Sequence, residues 1–229
     1  MFGGNVRRVL AGAAAAAVVV LCGAAACSGQ DADTKEAKKG AAVPYDELRA
    51  LTFKDGEVPD VHDTPVQEPS PRMSEPTAPP VSNASCGTVL AAVNGAGAPA
   101  VVRQVFNWKD DLWGGSSTLA SYDGDGARRA FARLRSSLTT CASYDGVTAE
   151  GPYTTDLTAT AAPRLGDEAL AFRTTTPTKD GLVMHREHVV VRAGSVTATF
   201  TKVEAVGDAR FPRELIRRQV ERLEEAQGR

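Results

Sequence analysis

Two long β-branched runs, Leu182 to Arg192 and Ser195 to Glu204, are separated only by Ala193-Gly194. Two residues cannot carry a crossover, so the runs must pair antiparallel as a hairpin, and any sheet holding them inherits that direction. Upstream, Pro152 to Ala162 is Thr-rich and Glu168 to Thr176 alternates, so both read as strands. Ala100 to Trp108 is β-branched and aromatic, and Gly115 to Tyr122 is its expected hairpin partner. Helical spacing marks the rest. Tyr45, Leu48 and Leu51 predict a short helix within Val43 to Phe53, with Pro44 in its first turn. Cys86, Val89, Leu90 and Val93 form one helical face, with Ser85 as the expected N-cap. Gly126 to Thr140 is amphipathic, with Ala127, Phe131, Leu134 and Leu138 inward and Cys141 one step beyond. Phe211 to Gln227 closes the chain as a helix with Pro212 in its first turn and Ile216, Val220 and Leu223 buried. The expected fold class is α+β: a single domain with an antiparallel sheet of five to six strands flanked by helices.

The N-terminus sets location. Arg7 and Arg8 precede an 18-residue run of apolar and small residues, Val9 to Ala26. That pattern suits a signal peptide; an uncleaved membrane anchor is the competing reading, weakened by the Ala and Gly content. The run ends Ala24-Ala25-Ala26-Cys27-Ser28-Gly29. This resembles a bacterial lipobox, with cleavage between Ala26 and Cys27 and acylation of the Cys27 thiol. Leu21 before Cys22 makes that cysteine the poorer match. Ordinary secretion without a lipid is the remaining alternative. The expected organisation is therefore a signal peptide at 1–26, a polar tether at 27–42 and a domain at 43–229. Within the domain, 43–81 is partly extended and Pro-rich from Glu57 to Val81, which excludes a long regular element.

Of four cysteines, the scheme removes Cys22 and lipidates Cys27. Cys86 and Cys141 remain, a pair expected to bridge in an oxidising compartment. A net charge of −2 argues against nucleic acid as a partner. The Arg-heavy, Ala-rich composition reads as a GC-rich genome rather than a binding property.

No catalytic pattern emerges. His185-Arg-Glu-His188 is not the helical H-E-x-x-H of zinc proteases; on a strand, residues three apart face opposite sides, about 10 Å from each other. His62 lies far off in the Pro-rich stretch. Asp123-Gly-Asp125-Gly has part of a calcium loop, but its twelfth position is Leu134, so it reads as a turn and N-cap. There is no G-x-S-x-G and no phosphate-binding glycine loop. No metal and no cofactor are expected. Phe106, Trp108 and Trp113 surround a hairpin tip and are the candidate ligand-binding residues, with capping of the core as the alternative. Arg103, Arg173, Arg186 and Arg192 fall on strands: a solvated sheet face, or a groove for an acidic headgroup. Asn83-Ala-Ser85 matches a glycosylation sequon by chance.

Several short motifs resemble one family. A lipobox is followed by Leu48, Leu51, Gly56 and Pro59, then helix-borne Cys86, Cys141, Leu165-Gly-Asp-Glu-Ala-Leu170 and Val190-Val-Arg-Ala-Gly194. Over roughly 43 to 227 this is similar to the actinobacterial PknH-like extracellular sensor domain, found on a receptor kinase and on free lipoproteins. The resemblance implies an antiparallel sheet with flanking helices forming a cleft that binds a ligand. The kinase sensor has two disulfides where this chain can form one, and no kinase domain is present here. The expectation is an outward-facing lipoprotein, anchored to the cell membrane through Cys27. It would be a non-catalytic ligand-binding or sensor-like protein whose partner is a small molecule, a lipid or an envelope protein. An interaction module is the alternative, and a hydrolase the remote third.

Overall fold

Among the described residues, thirteen elements follow one another in the order α1 (Tyr45–Ala50), β1 (Val61–Asp63), β2 (Val66–Gln67), α2 (Ala84–Val93), β3 (Ala100–Trp108), β4 (Gly115–Ser121), α3 (Gly126–Leu138), β5 (Ser143–Thr148), β6 (Gly151–Thr160), β7 (Glu168–Pro177), β8 (Val183–Ala193), β9 (Val196–Glu204) and α4 (Arg213–Ala226). This computed structural model describes residues 41–54, 56–68 and 80–229. The expected signal peptide, the Ala26–Cys27 junction, most of the tether and 69–79 lie outside the described residues.

Every strand pairing is antiparallel. The sheet order is β1-β3-β4-β9-β8-β7-β6-β5, with β2 also pairing β3. The α+β class and the Cys86–Cys141 disulfide are present, but the sheet has nine strands among the described residues, not five to six. The three additional strands are short or compositionally weak. β1 and β2 hold three and two residues of the Pro-rich stretch, below the length at which alternation can be read. β5 reads Ser-Tyr-Asp-Gly-Val-Thr, where Asp and Gly depress β-propensity. The β8–β9 link is Gly194-Ser195 rather than Ala193-Gly194, since Ala193 pairs with Val196. Gly194 takes φ +60°, as a tight hairpin turn requires.

Strand alternation divides the sheet into two faces. One bears Val102, Phe106, Leu119, Val189, Val191, Ala198 and Phe200, which pack with Leu48 of α1 and with Leu215, Ile216, Val220 and Leu223 of α4. The other bears Phe172, Val190 and Leu157, covered by Cys86, Val89 and Val93 of α2 and by Phe131 and Leu134 of α3. Three layers result, helices on both sides of an antiparallel sheet.

Helix ends differ from the sequence reading where capping chemistry decides. Asn83, not Ser85, caps α2: its side chain accepts from the Ser85 and Cys86 N–H groups at 2.9 and 3.4 Å. The sequon asparagine is thus a structural cap. Ser85 instead accepts from Thr140 Oγ1 at 2.8 Å, beside the disulfide. Pro212 occupies the N-cap position of α4 rather than its first turn, and Asp125 stands at the N-cap of α3 but pairs with Arg128 instead of capping.

The segment from Val43 to Gln67 lies on the domain because buried polar groups hold it. Gln104 of β3 is fully buried; its side chain accepts from Phe53 N at 3.0 Å and donates to the Phe53 and Thr64 carbonyls at 2.7 and 2.9 Å. From α4, Gln219 donates to Leu51 O at 2.9 Å and Arg222 to Thr52 O at 2.9 Å and to Glu57 at 2.7 Å. At its start, Val43 N–H donates to Ser121 Oγ at the end of β4 at 2.6 Å.

Candidate functional site

Helices α2 and α3 cover only part of their sheet face. Beyond Leu90, the exposed ends of β5, β6, β7 and β8 continue the same face without a helix over them. Two turns complete a cavity of about 740 Å³: the 148–152 connection between β5 and β6, and Thr178-Lys179-Asp180 after β7. That volume suits a small-molecule site.

The floor follows from strand register. Tyr144 lies opposite Thr155, and Thr174, Thr176 and Phe172 lie opposite Arg186, Met184 and His188. Thr155 and Thr176 join their hydroxyls at 2.7 Å. Gly146 of β5 lets the Tyr153 ring lie flat across it, since a side chain there would strike that ring. Tyr153 then meets Tyr144 edge to face, with centroids 6.3 Å apart. Aromatic and aliphatic walls thus stand over a floor of threonine hydroxyls and one arginine.

His188 is buried, stacked on Phe172 at 4.7 Å, with Nδ1 3.0 Å from Thr201 Oγ1. Burial, with a smaller push from the Arg186 charge, lowers its pKa to about 3. An unfolded histidine titrates near 6.5, so between the two values the unfolded chain binds a proton that the folded chain refuses. His188 therefore favours folding fully above about pH 6.5, and that contribution is lost as pH falls toward 3. The expected loss from this group is about 2 kcal/mol between pH 7 and pH 5. Urea denaturation at both pH values should show wild type losing that much more than His188→Asn; equal losses would mean His188 is not held neutral. Burial also raises the Tyr144 pKa, keeping its hydroxyl protonated. The arrangement offers hydrogen bonds, one guanidinium and apolar area.

The residues singled out from the sequence lie elsewhere. Phe106 is fully buried, stacked on Trp108 at 5.4 Å and edge-on to Phe211 at 5.3 Å and Phe53 at 6.0 Å. Trp108 lies beneath Lys202, whose ammonium pairs with Asp111 at 2.9 Å and with Glu204. Trp113 is 44% exposed at the hairpin tip. None of the three lines the cavity. His185 faces Thr175 on the opposite side of the sheet from His188. Among the described residues no group of three His, Cys, Asp or Glu is placed to hold a metal ion. The cavity's tyrosines and threonines were missed; the run of threonines through 154–160 and 174–176 was the signal available.

No protein-family model and no curated protein matches the chain. Among the described residues no helix is long and apolar enough to cross a membrane. Among solved structures, the extracellular domain of PknH from Mycobacterium tuberculosis superposes with a TM-score of 0.57 over 83% of this chain and 100% of that one, at 13% identity. At that identity the likeness is one of fold, and in fold this chain is similar to the extracellular domain of a PknH protein.

Proposed function

We propose that the protein is an outward-facing envelope lipoprotein, anchored through Cys27, whose domain binds a small molecule without catalysing a reaction. The β5–β8 cavity is the observation that carries this reading: a preformed hollow with apolar walls and a few convergent polar groups is the ordinary form of a ligand site. The fold likeness to the extracellular domain of PknH supports the outward orientation. The lipobox at Cys27 supports the anchor.

Native mass spectrometry of the full chain, purified from its envelope, should reveal a bound species lost on denaturation. Thr176→Trp, which fills the cavity, should remove that species; an unchanged adduct would place the ligand elsewhere. Cys27→Ser should release the protein from the membrane fraction, and retention would refute the anchor.

A second reading, docking to an envelope protein, draws on three exposed apolar side chains at one end of the sheet. Leu112 is 94% and Val206 83% exposed, with Trp113 beside them, and Val203 N bonding Gly114 O at 3.3 Å brings the two loops together. A cross-linked partner lost on Leu112→Ser would favour it.

A further inference from the structure

The four strand arginines have different fates. Arg103 donates to Asn94 Oδ1 at 2.6 Å, and Arg173 to Asp208 Oδ1 at 3.3 Å. Arg192 meets Asp167 at 2.7 Å and Glu168 at 2.8 Å. Arg186 alone of the four has no hydrogen bond or ion pair among the described residues. It is half-buried on the cavity floor, between buried His188 and Met184 along β8 and opposite buried Thr174.

A partly desolvated cation without a partner is unfavourable, and an anion from outside relieves it. The guanidinium charge disfavours protonation of His188 and, on the far wall, favours ionisation of the Tyr144 hydroxyl, so it acts across the hollow. The other charges on the lining belong to the mouth. Lys179 donates to the Glu150 carbonyl, the Glu150 carboxyl is held by Thr148, and Asp180 is exposed. None of these neutralises Arg186. Around it the surfaces are apolar or aromatic: Leu90, Tyr144, Tyr153 and Met184.

We propose that the cavity takes a small amphipathic anion, its carboxylate or phosphate on Arg186 and its apolar body against Tyr144, Tyr153, Leu90 and Met184. This rests on the reading of the cavity as the binding site. A guanidinium fork suits either head, because both present paired oxygens. Thr174, opposite Arg186 in the pairing of β7 with β8, adds a hydroxyl to the floor beside it.

Isothermal titration of the full chain in zwitterionic nanodiscs, with 2-naphthoate, 2-naphthyl phosphate and 2-naphthol, separates the head from the body. At least one anion should bind roughly tenfold or more tightly than the neutral naphthol, as a charge-assisted pair implies, and the tighter of the two identifies the head. Arg186→Gln should erase that preference while leaving the thermal melt in place, and Arg186→Lys should restore part of it. Thr176→Trp should block all three. Naphthol binding as tightly as both anions, still blocked by Thr176→Trp, would overturn the anion site and leave the cavity reading intact. No binding of any probe, or binding indifferent to Thr176→Trp, would overturn both.

Discussion

Replacing Cys86 and Cys141 together by alanine is expected to lower stability by about 4 kcal/mol, the chain-entropy value for a bridge of this span. The two cysteines are 55 residues apart in sequence, with Cα atoms 4.9 Å apart. For a chain of this size the loss corresponds to a fall in Tm of roughly 8–16 °C. The bridge ties the first turn of α2 to the residues just past α3, and both sulfurs are buried in the core beneath those helices. Without it, α2 is held by a thin apolar face and the Asn83 cap. Leu90, the α2 residue that walls the cavity, should loosen with it. Differential scanning calorimetry of the oxidised and double-alanine proteins measures the effect directly. A difference of only a degree or two would mean that helix packing alone holds α2 and α3 together.

Phe106→Ala should cost about 3–5 kcal/mol, as large-to-small substitutions of fully buried aromatics do. The ring touches Trp108, Phe53 and Phe211 at once, so its removal opens a void joining β3, the N-terminal segment and the start of α4. Urea denaturation gives the loss. Below the transition, ligand uptake in the β5–β8 cavity should persist, because that hollow lies on the opposite face of the sheet. The exposed Trp113 is the control: Trp113→Ala should change stability by about 0.5 kcal/mol or less. A stable Phe106→Ala protein that has lost ligand binding would instead return the aromatic cluster to the role of a ligand site.

These two experiments bear on what could be read from the chain beforehand. Antiparallel pairing of β8 and β9 was legible because a two-residue link leaves no other geometry. The helical faces carrying Cys86 and Cys141 were legible because 3.6-residue periodicity is a local property. Phe106 and Trp108 misled because an aromatic beside a hairpin tip has the same local sequence whether it meets a ligand or Phe211, which is distant along the chain. β1 and β2 are three- and two-residue strands paired with β3, in a segment that Gln104, Gln219 and Arg222 hold by side-chain hydrogen bonds, and such long-range contacts leave no periodic trace. The cavity was hidden for a related reason. It arises where α2 stops short of the sheet's edge, a matter of how far one helix reaches over four strands. Arg186 was visible as one of four arginines, but what singles it out is the lack of a partner among the described residues, which only the assembled sheet reveals.

The bond from Val43 to Ser121 fixes where the N-terminal segment meets the sheet. Ser121 adjoins Val196, which pairs with Ala193 at the far end of β8 from Met184 on the cavity floor. The nine steps of strand from Met184 to Ala193 span about 30 Å. The segment leading back toward Cys27 therefore takes hold at one pole of the sheet and the cavity opens at the other. The Val43 contact and the cavity mouth are thus held apart by the length of β8.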